Sequence, residues 1–178
     1  MNRESPNLNK GINKMNIRED IENIIKEKNI DRVNFSEVSK QSWESILKNI
    51  EDKFADKTKN YKNGLYWANV NGFNPKLKSM SFDMRDFYDW YKLLPQLFDD
   101  EFVYVVWTDI EKDWVYETKF KELAEVLEDT EFDDDYYIVS KKYKWLVSLN
   151  HHDIAIFIGD MDFEKVKKIY NEYYIQSE

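Results

Sequence analysis

Apolar positions recur at helical spacing from residue 17 onward. Ile17, Ile21, Ile24 and Ile25 share one helical face, with Asn16 placed to cap it. A second helix is predicted from about residue 37 to 55, with Trp43, Ile46, Leu47, Ile50 and Phe54 as its stripe and Ser36 or Ser39 as its cap. The run Leu65 to Val70 has strand-type residues and ends at Asn71-Gly72, a turn pair. Residues 73–81 read as loop plus a short strand. Asp83 opens a helical pattern through Phe87, Trp90, Tyr91 and Leu94 that Pro95 is expected to end. Phe102 to Trp107 is apolar throughout, as in a central strand covered on both faces. Residues 113–117 are expected to pair with it across a turn at 109–112.

Phe120, Leu123, Ala124 and Leu127 mark a short helix, followed by an acidic loop at 128–135. Strands are predicted at 136–140, 144–149 and 153–158, with connections short enough to force antiparallel hairpins. Asp160 or Asp162 caps a last helix carrying Phe163, Val166, Ile169, Tyr170 and Tyr173. The order ααβαββαβββα groups strands near the C-terminus without alternating helices. It therefore predicts an α+β fold with a mainly antiparallel sheet of about five to six strands. Residues 1–15 lack periodicity and read as a flexible tail, leaving 16–178 as a single domain.

Composition narrows the function classes. The 178 residues contain no cysteine, which excludes disulfides, thiolate metal sites and a cysteine nucleophile. No apolar run reaches membrane-spanning length and no signal peptide is legible, so a cytoplasmic protein is expected. The net charge of −9 is unevenly spread: residues 1–60 carry +1, 61–82 carry +3, 83–135 carry −13, and 136–178 are neutral. A central stretch of that sign repels phosphates and attracts basic surfaces, which argues against nucleic acid and for a basic protein partner.

Candidate chemistry is sparse. The only histidines, His151 and His152, precede Asp153. On an extended chain neighbouring side chains point to opposite faces, so His151 and Asp153 are the pair able to converge on a metal or a proton. The more ordinary reading is a hairpin turn whose polar side chains cap backbone groups. The densest acidic runs are Asp99-Asp100-Glu101 and Asp133-Asp134-Asp135, the latter followed by Tyr136. Only four glycines are present and no two stand close enough for a phosphate-cradling loop, nor is there a nucleophile elbow. No cofactor is expected. Aromatics interleave with the acids at Tyr88, Trp90, Tyr91, Trp107, Trp114, Tyr116, Tyr136 and Tyr137, a combination that suits protein recognition, although at least half of these rings are expected in the core.

The segments Asp135 to Ser140, Trp145-Leu146-Val147, Asn150 to Asp153 and Ile158-Gly159 resemble a pattern in small acidic bacterial proteins of unknown function, some similar to toxin-immunity proteins. The resemblance covers roughly residues 100–160 and carries no catalytic motif. It implies a cytosolic binding protein. Three functional expectations follow: an acidic inhibitor or immunity protein for a basic partner such as a toxin, with Asp99, Asp100, Glu101, Asp133, Asp134, Asp135 and Tyr136 as contacts; a metal-dependent enzyme using His151 and Asp153; or a self-associating regulatory module.

Overall fold

The computed structural model describes residues 16–59, 72–85, 89–99, 101–108, 112–130 and 135–177, the last four of these by backbone alone. The elements in chain order are α1 (Ile17–Glu27), β1 (Phe35–Glu37), α2 (Lys40–Phe54), β2 (Ser79–Asp83), a 3-10 turn (Trp90–Leu93) leading into α3 (Leu94–Leu97), β3 (Val103–Thr108), β4 (Asp113–Thr118), α4 (Phe120–Asp129), β5 (Tyr136–Ser140), β6 (Trp145–Leu149), β7 (Ile154–Gly159) and α5 (Phe163–Ser177). All seven strands join one antiparallel sheet in the order β1-β4-β3-β5-β6-β7-β2. The fold is α+β as expected, with more strands than the five to six read from sequence.

Strand alternation divides the core in two. Val105, Trp107, Tyr116, Ile138, Val147 and Phe157 point to one face, where α1, the 3-10 turn, α3, α4 and α5 cover them. Val106, Val115, Tyr137, Val139, Leu146 and Ile158 point to the other, where the α2 stripe of Trp43, Ile46, Ile50 and Phe54 packs. This two-sided burial explains why β3 and β5 read as continuous apolar runs. Trp107, Tyr116 and Tyr137 are completely buried, so these aromatic residues of the acidic stretch are core.

The helix signals hold at α1, where the Asn16 side chain accepts the Glu19 amide at 3.4 Å. Three readings change. Residues 35–37 form a short edge strand, so α2 starts at Lys40 behind Ser39. Asp83 ends a strand and does not open a helix. Pro95 sits in the first turn of α3, where a missing N–H costs nothing, and begins a helix instead of ending one. The strand expected at 65–70 and the tail at 1–15 lie outside the described residues.

Candidate functional site

Of the polar side chains singled out by sequence, Asp135, His151 and Asp153 stand at one end of the sheet, where β3, β5 and β6 have their Thr108, Tyr136 and Leu149 ends. The β6–β7 connection is a tight turn built by Asn150. Its Oδ1 accepts the His152 and Ile154 amides at 3.0 and 3.1 Å, and its carbonyl accepts the Asp153 amide at 2.9 Å. Asp153 takes a left-handed φ of 56° to close the turn. This is the turn-capping role expected of the Asn-His-His-Asp segment.

The turn aims His151 at Asp135. The Asp135 Oδ1 accepts the His151 backbone amide at 2.8 Å and lies 3.1 Å from His151 Nδ1. The Asp135 carbonyl accepts both the amide and the hydroxyl of Thr108, each at 3.1 Å. One residue thereby ties the ends of three strands. Its side chain is 9% exposed, whereas that of His151 is 51% exposed and its ring lies 4.0 Å from that of His152. The convergence expected between His151 and Asp153 is replaced by His151 with Asp135, because the left-handed turn breaks the extended alternation on which that expectation rested. Asp153 is exposed and its carbonyl accepts the Met84 amide at 2.7 Å.

A buried carboxylate beside Nδ1 orients an imidazole, which is what proton transfer or metal ligation through the other ring nitrogen would use. Among the described residues no group of three or more His, Asp or Glu side chains is placed to hold a metal ion. The Ser148 hydroxyl on β6 is buried and has no hydrogen-bond partner among the described residues.

The described members of the two acidic runs stand apart. Asp99 and Glu101 are exposed just before Val103 opens β3, and Asp135 stands just before Tyr136 opens β5. Because β3 and β5 are antiparallel, these starts lie at opposite ends of the sheet, separated by roughly 17–20 Å of strand. Asp100, Asp133 and Asp134 lie outside the described residues. Asp135 and Tyr136, expected as surface contacts, are buried. Tyr136 stacks on Trp90 at 6.0 Å, and burial pushes its hydroxyl pKa well up, with a hydrogen bond donated by the Trp90 indole opposing.

Several other acids belong to the His151 end. Asp113, which opens β4 opposite Thr108, is partly buried, and desolvation raises its pKa from 3.8 to about 6. Asp83, at the end of β2, is held down to about 2 by hydrogen bonds from the Arg85 side chain and amide. Lys28 bridges Glu128 and Asp129 at 3.0 and 3.1 Å, and Lys92 pairs with Asp89 at 2.7 Å. Segments 86–88, 109–111 and 131–134 lie outside the described residues and carry Asp86, Asp109, Glu111, Glu131, Asp133 and Asp134. Arg85, Thr108, Lys112 and Asp135, which flank them, stand at this same end. Thr108 and Asp113 were missed as members of this cluster, because nothing local marks them and only strand pairing brings them in.

No helix among the described residues is long and apolar enough to cross a membrane. No curated protein and no solved structure matches the chain. A family model, described as a family of unknown function (DUF6756), matches residues 13–170. That match takes in every element from α1 to most of α5, and the chain belongs to this family.

Proposed function

We propose that this chain is a non-catalytic inhibitor or immunity-type protein that binds a basic protein partner, such as a toxin, with the His151 end of its sheet. The observation that supports the reading is topological. Asp83, Asp89, Asp113, Glu128 and Asp129 are set around one end, and the residues flanking the three further acid-bearing segments stand there too. Part of the charge dispersed over residues 83–135 in sequence, that of Asp83, Asp89, Asp113, Glu128 and Asp129, is thus brought to one end of the sheet. Lys28, Arg85 and Lys92 offset part of it, and the excess carboxylates remain to steer a cationic surface and pair with it. Asp99 and Glu101 stand at the far end and would contribute only to the long-range field. Asp135 acts by bracing the strand ends, with Tyr136 packed beneath.

The test is titration calorimetry of the chain against the basic protein it captures from its own cells, between about 50 and about 500 mM salt. Affinity is expected to fall as salt rises. Replacing Asp109, Glu111, Glu131, Asp133 and Asp134 by their amides is expected to weaken binding at least about tenfold, a loss of about 1.4 kcal/mol. An affinity indifferent to both salt and the amide variant overturns the reading.

A further inference from the structure

The longer helices are held to the sheet unequally. α1, α2 and α4 each drive four buried side chains inward, as Ile17, Ile21, Ile24 and Ile25 do from α1. Of the described side chains of α5, Val166 alone is buried, while Phe163, Ile169, Tyr170 and Tyr173 pack against the core only partly covered. This helix is also weak on its own terms. Val166, Ile169, Tyr170, Asn171 and Tyr173 are β-branched, aromatic or amide residues that form helix poorly, so its order depends on packing more than on propensity. Its start is secured. The Asp162 carboxylate accepts the Lys165 amide at 3.0 Å, and the Asp162 carbonyl accepts the Val166 amide at 3.1 Å. Beyond that start, side chains of α5 reach backbone carbonyls of other elements. Lys165 Nζ donates to the Leu97 carbonyl at 3.1 Å, and the Tyr170 hydroxyl donates to the Asp83 carbonyl at 3.0 Å. The Tyr170 ring lies 4.3 Å from that of Phe82, which meets Phe157 edge-on at 5.7 Å.

We infer that α5 is a conformational strap across β2 and β7, which opens and closes as a unit in the native state with Tyr170 as its clasp. Local opening costs least where the fewest side chains are buried, so a helix anchored by Val166 and partly covered rings opens before helices anchored by four buried residues. The pivot lies at residues 160–162. Gly159 just before it is fixed, by its φ of 101° and by its amide bond of 2.9 Å to the Lys78 carbonyl. Opening takes the donor from the Asp83 carbonyl and the ring from Phe82, so the Asp83 end of β2 loosens together with α5. Strands β3 and β5 stand in the middle of the sheet and keep their partners. The strap thereby couples the order of α5 to the position of Asp83 and of Arg85, whose side chain Asp83 binds. This coupling holds whether or not the His151 end docks a partner.

Residue-resolved hydrogen exchange of the full chain, followed by NMR from zero urea to just below the unfolding transition, is the direct test. The amides of Ile169 to Tyr173 are expected to be at least about tenfold less protected than those in the middle of α1, α2 and α4. Their protection should depend only weakly on urea, because little surface is exposed when the strap opens. Tyr170→Phe keeps the ring and removes the O–H donor, and is expected to speed exchange in α5 about fivefold. It is expected to speed the Met84 amide, bonded to the Asp153 carbonyl beside the Asp83 end of β2, and to leave β3 and β5 at wild-type rates. An α5 as well protected as α1, α2 and α4 overturns the inference. So does a Tyr170→Phe protein whose α5 rates are unchanged, or whose β3 and β5 amides accelerate as much as those of α5.

Discussion

The two ends of the sheet treat similar sequence in opposite ways. At the Val103 end, the acids Asp99 and Glu101 lie exposed beside an aromatic stack in which Phe98 covers Trp145 at 4.2 Å and Phe120 at 5.0 Å. Order there comes from rings and from one tightly fitted glycine. At the Tyr136 end, the last acid of the run, Asp135, turns inward and its oxygens collect amide donors from two neighbouring strands. Order there comes from a buried carboxylate. A run of acids is therefore solvent-facing charge or internal architecture according to which donors the next strands bring, and local sequence does not distinguish the two.

The sharpest way to break the aromatic end is Gly159→Ala. Gly159 has a φ of 101°, and an added Cβ would collide with the Lys144 carbonyl. That carbonyl already accepts the Asp160 amide at 2.9 Å, so it is not free to move. The expected cost is about 3 kcal/mol or more, read from urea unfolding. A loss below about 1 kcal/mol would mean the strand junction relaxes easily.

At the carboxylate end, Asp135→Ala leaves the His151 amide without its acceptor and removes the brace between β5 and β6. The expected loss is about 2–3 kcal/mol. Asp99→Ala and Glu101→Ala, from the exposed run at the opposite end, are expected to stay within about 0.5 kcal/mol of wild type. Equal effects from all three would erase the distinction between the ends.

How much of this was legible follows from range. The α1 cap at Asn16, the Trp43-to-Phe54 stripe and the hairpin at Asn150 rest on residues within one turn or one loop of each other, and periodicity reads them directly. The β1 strand has three residues and no alternation to detect, so its existence depends on pairing with β4 more than 75 positions away. Pro95 was misread because proline ends one helix and begins another with the same local signature. The Asp135–His151 contact spans sixteen positions and required the β5–β6 register. Sequence showed the lopsided charge; only the strand order shows that Asp99 and Asp135 stand at opposite ends.

A smaller effect than the loss at Asp135 sets two acids of the His151 end against each other. Asp113 and Asp83 are perturbed in opposite senses, one raised to about 6 by burial and the other lowered to about 2 by Arg85. A raised value means that the folded state holds the proton more tightly than the unfolded chain. The cost of ionised Asp113 is thus absent below its ordinary 3.8, grows between 3.8 and about 6, and is fully felt above that. Asp83 behaves conversely: its contribution is present above 3.8 and is lost as pH falls through about 2. Asp113→Asn removes the buried charge while keeping the shape, so it is expected to stabilise the protein at pH 8. The gain is about 1–2 kcal/mol after allowing for partial exposure, and it shrinks towards zero near pH 4. Urea unfolding of both proteins at the two pH values measures it. A gain of the same size at both would show that Asp113 acts through packing and not through its charge.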